Sequence, residues 1–203
     1  MSSFSDVRSI ANKVFADNGG NPLDFVNLLQ KLLSLTVLKP GEIIDHDLNP
    51  KKGLGIFGSR LGQTALRLNN DFYLKFFMYF RYGRNDPLTI IRSSFQYQID
   101  DGRSFTDRFV FRCDYDVNPQ DEEHPIAHLQ INGLLNEQIT QKKLEDIRFP
   151  LYRPSIESLL ILLIDGFGLK SNDATGEWRK ILLHSEDCFR MYQAKKLVKF
   201  SPK

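Results

Sequence analysis

A chain of 203 residues with 41% hydrophobic and 26% charged side chains can bury a full core as one domain, and its composition excludes disordered, collagen-like and low-complexity classes. Its 27 basic and 25 acidic residues leave a net charge of +2. So even a balance does not mark a nucleic-acid binder by bulk charge and is compatible only with a local basic surface.

Ser3 and Asp6 have capping-box-like spacing, and Val7, Ile10, Ala11 and Val14 share one stripe, which predicts a first helix to about Asp17. Asn21 as N-cap and Pro22 as first helical residue open a second, with Phe25, Val26, Leu28, Leu29, Leu32 and Leu33 as its apolar face. Lys39-Pro40-Gly41 stops it. From Glu42 to Gln63 no period holds, and a loop is expected. Gly53, Gly55 and Gly58 formally spell GxGxxG, but the flanking strand and helix that a dinucleotide fingerprint requires are not legible. A basic glycine loop touching phosphate through Lys51, Lys52 and Arg60 is the functional reading, and a plain surface loop is the other. Asp45-His46-Asp47 reads as an exposed polar turn.

From Thr64 the pattern changes to short strands and tight turns. TALRLNN, DFYLKFFMYFRYG, TIIRSSFQYQID and TDRFVFRCDYD read as an antiparallel meander. Tyr73, Phe77 and Tyr79 are expected to meet Phe95, Tyr97 and Ile99 as cross-strand aromatic pairs. Odd and even positions of FYLKFFMYF are both apolar, so that strand is expected to be covered on both sides. Base stacking on these rings is the alternative to core packing. Leu134 to Asp146 reads as a polar loop or short helix, and Ile147 to Tyr152 as a strand. Pro154 and Ser155 open the most apolar helix, SIESLLILLIDGFG, expected to be central. After KSNDATG a last helix carries Trp178, Ile181, Leu182, Cys188, Phe189 and Tyr192 on one stripe. A basic tail with Lys195, Lys196 and Lys199 follows.

The residues that carry chemistry lie between Phe109 and Pro154. Alternation sets Phe109, Phe111, Cys113 and Tyr115 on one side of a strand and Arg112, Asp114 and Asp116 on the other. The next strand sets Ala127, Leu129 and Ile131 against Ile126, His128 and Gln130, and the two are expected to pair. His128 as acid or base, His124 as a second, and Arg112 and Arg148 as anion stabilisers suit cleavage of RNA, whose 2′-hydroxyl is an internal nucleophile. Asp114 and Asp116 complete the patch. His124 and His128 stand about 13 Å apart on an extended strand, too far to share an ion. A metal on His128 with Asp114 or Asp116 is the lesser alternative, so no metal and no cofactor are expected. In the purely structural alternative, Arg112 and Arg148 pair with Asp114, Asp116 or Glu122 and the histidines tie a turn together.

The run DYDVNPQDEEHPIAHLQI, followed by IRFPLYRP and an apolar helix, resembles a bacterial family known only as a domain of unknown function. It is also distantly similar to the TumE class of toxin components. The resemblance spans about Arg92 to Gly168 and rests on Asp114, Tyr115, Asp116, His124, Pro125, His128, Arg148, Pro150 and Pro154. It implies a bacterial toxin, antitoxin or defence setting and brings no established chemistry. The segment Leu134 to Asp146 departs from the family's compact pattern, which bears on the geometry near Arg148.

These observations predict a single α+β domain over residues 1–203, with a helical part at 1–41, a largely antiparallel sheet at 64–152 and C-terminal helices at 155–193. The leading function is action on RNA or another phosphate-bearing target; if enzymatic, the protein would be a metal-independent, ribonuclease-like phosphodiesterase. The alternative is a non-catalytic binding or assembly subunit docking a larger protein. Expected partners are accordingly RNA, or a protein such as an antitoxin or larger defence subunit. The N-terminus lacks the apolar run of a signal peptide and no segment approaches the roughly 20 apolar residues of a membrane span. A cytoplasmic location without a membrane partner is expected. Cys113 and Cys188 lack CxxC spacing and read as buried free thiols.

Overall fold

The computed structural model describes residues 4–16, 21–49, 53–58, 65–81, 88–101, 109–118, 126–132, 149–150 and 155–199; of 149–150 and 193–199 only the backbone is described. The class is α+β, with helices at both ends of the chain and an antiparallel sheet between them. Two compact units divide it: residues 1–38 with 155–203, and residues 39–154.

The helical unit contains α1 (Phe4–Val14), α2 (Pro22–Thr36), α3 (Ile156–Ile161) and α4 (Trp178–Lys199). Its N-terminal part follows the sequence signals closely. Asn21 caps α2 by accepting the Leu23 N–H at 3.0 Å, and Val7, Ala11 and Val14 of α1 are buried together with Phe25, Leu28, Leu29, Leu32 and Leu33 of α2. Each Val, Leu or Phe side chain so removed from water contributes on the order of 1.5–3 kcal/mol, as an upper bound. The last turn of α2 leaves carbonyls without intrahelical donors, and the loop before α4 supplies partners. The Asn172 N–H donates to Thr36 O at 2.8 Å, and its side-chain amide donates to Ser34 O at 3.1 Å and Leu38 O at 2.6 Å.

Ser155 caps α3, accepting the Ser158 N–H at 3.0 Å. The helix then widens into a π-helical turn at Leu162–Gly166, closed by the Phe167 N–H on Leu162 O at 3.2 Å. Its sequence is apolar nearly all round, and Ile156, Leu159, Leu160 and Leu163 are buried while Leu162 is 42% exposed. Two buried carboxylates are hydrogen-bonded within this unit. Glu157 accepts from Ser185 Oγ at 2.7 Å, and Glu186 accepts from Ser155 Oγ at 3.0 Å, Ser158 Oγ at 2.8 Å and Arg190 Nη2 at 2.9 Å. Burial alone would raise the Glu186 carboxyl. The serine hydrogen bonds and the Arg190 guanidinium outweigh it and hold the group below its ordinary value.

The second unit is an antiparallel sheet in the order β1 (Asp45–Asn49), β2 (Gly53–Phe57), β4 (Tyr73–Arg81), β5 (Thr89–Gln98), β6 (Phe109–Asp116), β7 (Ala127–Ile131), β8 (Phe149–Pro150). The short β3 (Leu66–Arg67) pairs with the start of β4, on the edge that β2 occupies further along. The sheet therefore begins at Asp45, ahead of the expected Thr64. Asp45-His46-Asp47 is strand, and the glycine segment is its hairpin partner. Glycine is required there for approach to β4. Gly53 has φ +107°, and a Cβ on it would fall 2.0 Å from the Phe80 carbonyl oxygen, while one on Gly58 would fall 2.4 Å from the Phe76 ring. The GxGxxG spelling thus reflects strand packing.

Strand β4 is fully covered on one side and only partly on the other, where both were expected to be covered. Leu74, Phe76, Met78 and Phe80 are buried at 4% exposure or less, whereas Tyr73, Lys75 and Phe77 are half-buried and Tyr79 and Arg81 exposed. The aromatic pairing shifts accordingly. Phe95 meets Phe76, with ring centroids 6.0 Å apart, and Tyr97 meets Phe111 at 5.7 Å. Phe77 and Tyr79 point to the opposite face. Bulges interrupt the β4/β5 register at Tyr79/Phe80 and the β5/β6 register at Tyr97/Gln98. The second sets Phe109 opposite Gln98 and brings its ring to 5.8 Å from the Arg112 guanidinium. Strict alternation had assigned Phe109 to the apolar side.

Candidate functional site

Residues directly opposite one another in a sheet share a face, so the registers define which side chains can cooperate. One continuous row runs Asp45, Phe57, Phe77, Ser94, Asp114, His128, Pro150 across seven strands. Beside it lie Asp47, Gly55, Tyr79, Arg92, Asp116 on one flank and Lys75, Gln96, Arg112, Gln130 on the other. The same strands bury Phe95, Tyr97, Phe111, Cys113 and Ala127 on their opposite face. That apolar face fixes the register, and the register fixes the polar constellation.

Asp114 is its hub. The Arg112 Nε donates to Asp114 Oδ2 at 2.8 Å, and Arg112 Nη2 donates to Gln130 Oε1 at 2.7 Å. His128 Nε2 stands 3.5 Å from the same Oδ2, an electrostatic contact looser than a formed hydrogen bond. The His128 residue is 8% exposed, so its ring is largely shielded by its surroundings. Asp116 belongs to a separate pair, with Arg92 Nε at 3.2 Å and the Asn118 N–H donating to its Oδ1 at 2.9 Å. The structure therefore gathers Arg112, Asp114 and His128 and sets Asp116 one row aside. His124, Arg148, Lys51, Lys52 and Arg60 lie outside the described residues.

Sequence reasoning missed three contributors. Gln130 was placed on the His128 side of its strand but given no role, and it proves to be the second acceptor of Arg112. Arg92 is the partner of Asp116 and also lies over the Phe77 ring, 5.4 Å from its centroid. Buried amides form the third: Gln96 donates to Gln98 Oε1 at 2.7 Å, and Gln98 to the Asp100 carbonyl at 2.5 Å. Their signal was legible in FQYQ, where glutamines alternate with two core aromatics.

Cys113 occupies the buried face. Desolvation, with the Asp114 charge behind it, pushes its thiol up to about 12, so it remains a neutral, unreactive thiol at physiological pH. Both Cys113 and Cys188 are free and buried. Among the described residues no group of three or more His, Cys, Asp or Glu could hold a metal ion, and no helix is long and apolar enough to cross a membrane. No protein-family model, curated relative or solved structure matches the chain.

Proposed function

We propose that this is a small bacterial toxin–antitoxin or defence-type protein that acts on RNA or another phosphate-bearing target through His128, Asp114 and Arg112. The observation that carries this reading is the single carboxylate oxygen of Asp114 facing both Arg112 Nε at 2.8 Å and His128 Nε2 at 3.5 Å. A carboxylate beside an imidazole orients the ring for general acid–base chemistry. In RNA cleavage the 2′-hydroxyl gives its proton to His128, and its oxygen bonds to the adjacent phosphorus. The 5′-oxygen then leaves and takes a proton from a second acid, the role expected of His124. The Arg112 guanidinium stabilises charge developing on the phosphoryl oxygens. Cleavage of end-labelled mixed RNA, lost in His128→Ala and retained with chelator, tests it.

The 8% exposure of His128 favours a second reading. Here Arg112, Asp114, His128 and Gln130 are a closed structural network, and the protein is a non-catalytic binding or assembly subunit. Copurification of a partner at fixed stoichiometry, undiminished in His128→Ala, distinguishes this reading from the first.

A further inference from the structure

We infer that Phe57, Phe77 and Tyr79 form a base-stacking subsite for single-stranded RNA, on the same sheet face as His128; the inference deepens the preceding proposal and rests on it. The three rings form one cluster, with centroids 5.6 Å apart for Phe57 and Tyr79 and 5.5 Å for Phe77 and Tyr79. They are not part of the core. The alternate residues of β4 fill that role at 4% exposure or less, while Tyr79 is 39% exposed. A structural use accounts for part of the cluster, since the Phe57 and Tyr79 rings close over Gly55, where a Cβ would come within 2.9 Å of one and 3.3 Å of the other. It does not account for Phe77. That ring carries the Arg92 guanidinium 5.4 Å above its centroid, with the Arg92 side chain 54% exposed.

Half-exposed rings interleaved with cations are the pairing that single strands require. Bases stack on the rings and the cations follow the phosphates. Lys75 and Arg81 extend the cationic character of β4 on either side of Phe77 and Tyr79. The electrostatics also give the track a direction. Asp45 and Asp47 are exposed at the β1 end of the same rows and repel phosphate there, whereas Asp114 and Asp116 at the β6 end are each paired with an arginine, Arg112 and Arg92, so the strand is directed away from β1 and toward β7. Phe77 and His128 belong to one row and are separated by three inter-strand spacings, about 14 Å. A chain stacked on the platform thus passes the Asp114–His128 pair within a few nucleotides.

The test is binding of a short mixed-sequence single-stranded RNA containing one 2-aminopurine, followed by fluorescence, beside an abasic strand of the same length. Stacking predicts 2-aminopurine quenching, an abasic strand bound about tenfold more weakly or worse, and a similar loss in Tyr79→Leu with binding retained in Tyr79→Phe. Thermal melting of both variants separates loss of the ring from loss of the fold, and the abasic comparison needs no variant. Equal binding of the abasic and natural strands, or binding unchanged in Tyr79→Leu, overturns the subsite while His128-dependent cleavage still stands or falls by itself. No binding of either strand overturns the subsite and the RNA reading together.

Discussion

Asp114 and His128 face each other across the β6/β7 pair, with Oδ2 and Nε2 3.5 Å apart, and the same carboxylate oxygen accepts from Arg112. One acidic side chain thus serves a cation within its own strand and an imidazole on the next. Asp114→Ala removes both contacts. Because the Arg112 side chain is 36% exposed, solvent screening limits the loss to about 1 kcal/mol. A double-mutant cycle with Arg112→Ala, followed by urea unfolding, should show coupling of about 0.5–1 kcal/mol. Strict additivity would mean that the pair contributes nothing.

Two glycines at positive φ separate conformational cost from steric cost. At Gly41, φ is +88° and a Cβ would meet nothing within 4 Å, whereas at Gly53, φ is +107° and a Cβ would sit 2.0 Å from a backbone oxygen. Gly41→Ala should cost about 1–2 kcal/mol. Gly53→Ala should cost more, because β2 must separate from β4 to admit the methyl group. Equal denaturation midpoints for the two variants would contradict the close β2/β4 approach.

Asn172 links the loop before α4 to the end of α2, its amide donating to Ser34 O and Leu38 O. Asn172→Ala withdraws donors from two terminal carbonyls and should destabilise the protein by about 1–2 kcal/mol. Hydrogen exchange should accelerate in the last turn of α2 and leave its first turn unchanged.

The Cys113 thiol is raised by burial from an ordinary 9.0 to about 12. The folded state therefore holds a proton that the unfolded state releases. Its contribution to stability is complete below about pH 9 and declines as pH rises from there toward 12. Cys113→Ala should flatten this alkaline decline, measured as the urea midpoint between pH 8 and pH 10. Native Cys113 should resist iodoacetamide at pH 8 and react on unfolding.

Much of the helical unit was legible because its signals are local. Asn21-Pro22 and Ser155 cap helices as their positions in the chain indicate, and the Val7, Ala11, Val14 stripe is buried as its spacing requires. The hairpin of β1 and β2 was not legible. Gly53 and Gly55 have no side chains to alternate, and the exposed edge strand DHDLN has no apolar face to reveal it. The grouping of Arg112, Asp114 and His128 on two neighbouring strands was legible from alternation. The row that joins Phe77 to His128 was not, because it depends on registers interrupted by two bulges. A single bulge suffices to move Phe109 from the apolar side to the side of Arg112.

The most direct test of the central claim is cleavage of end-labelled mixed RNA by the purified protein, with wild type, His128→Ala and Asp114→Asn compared at equal folded fraction. Cleavage by wild type should persist with chelator, fall at least a hundredfold in His128→Ala and fall less in Asp114→Asn, which retains the shape of the site without its charge. Cleavage unchanged in His128→Ala, or no cleavage by wild type, would contradict it and leave Asp114, Arg112 and His128 as a structural network of the sheet.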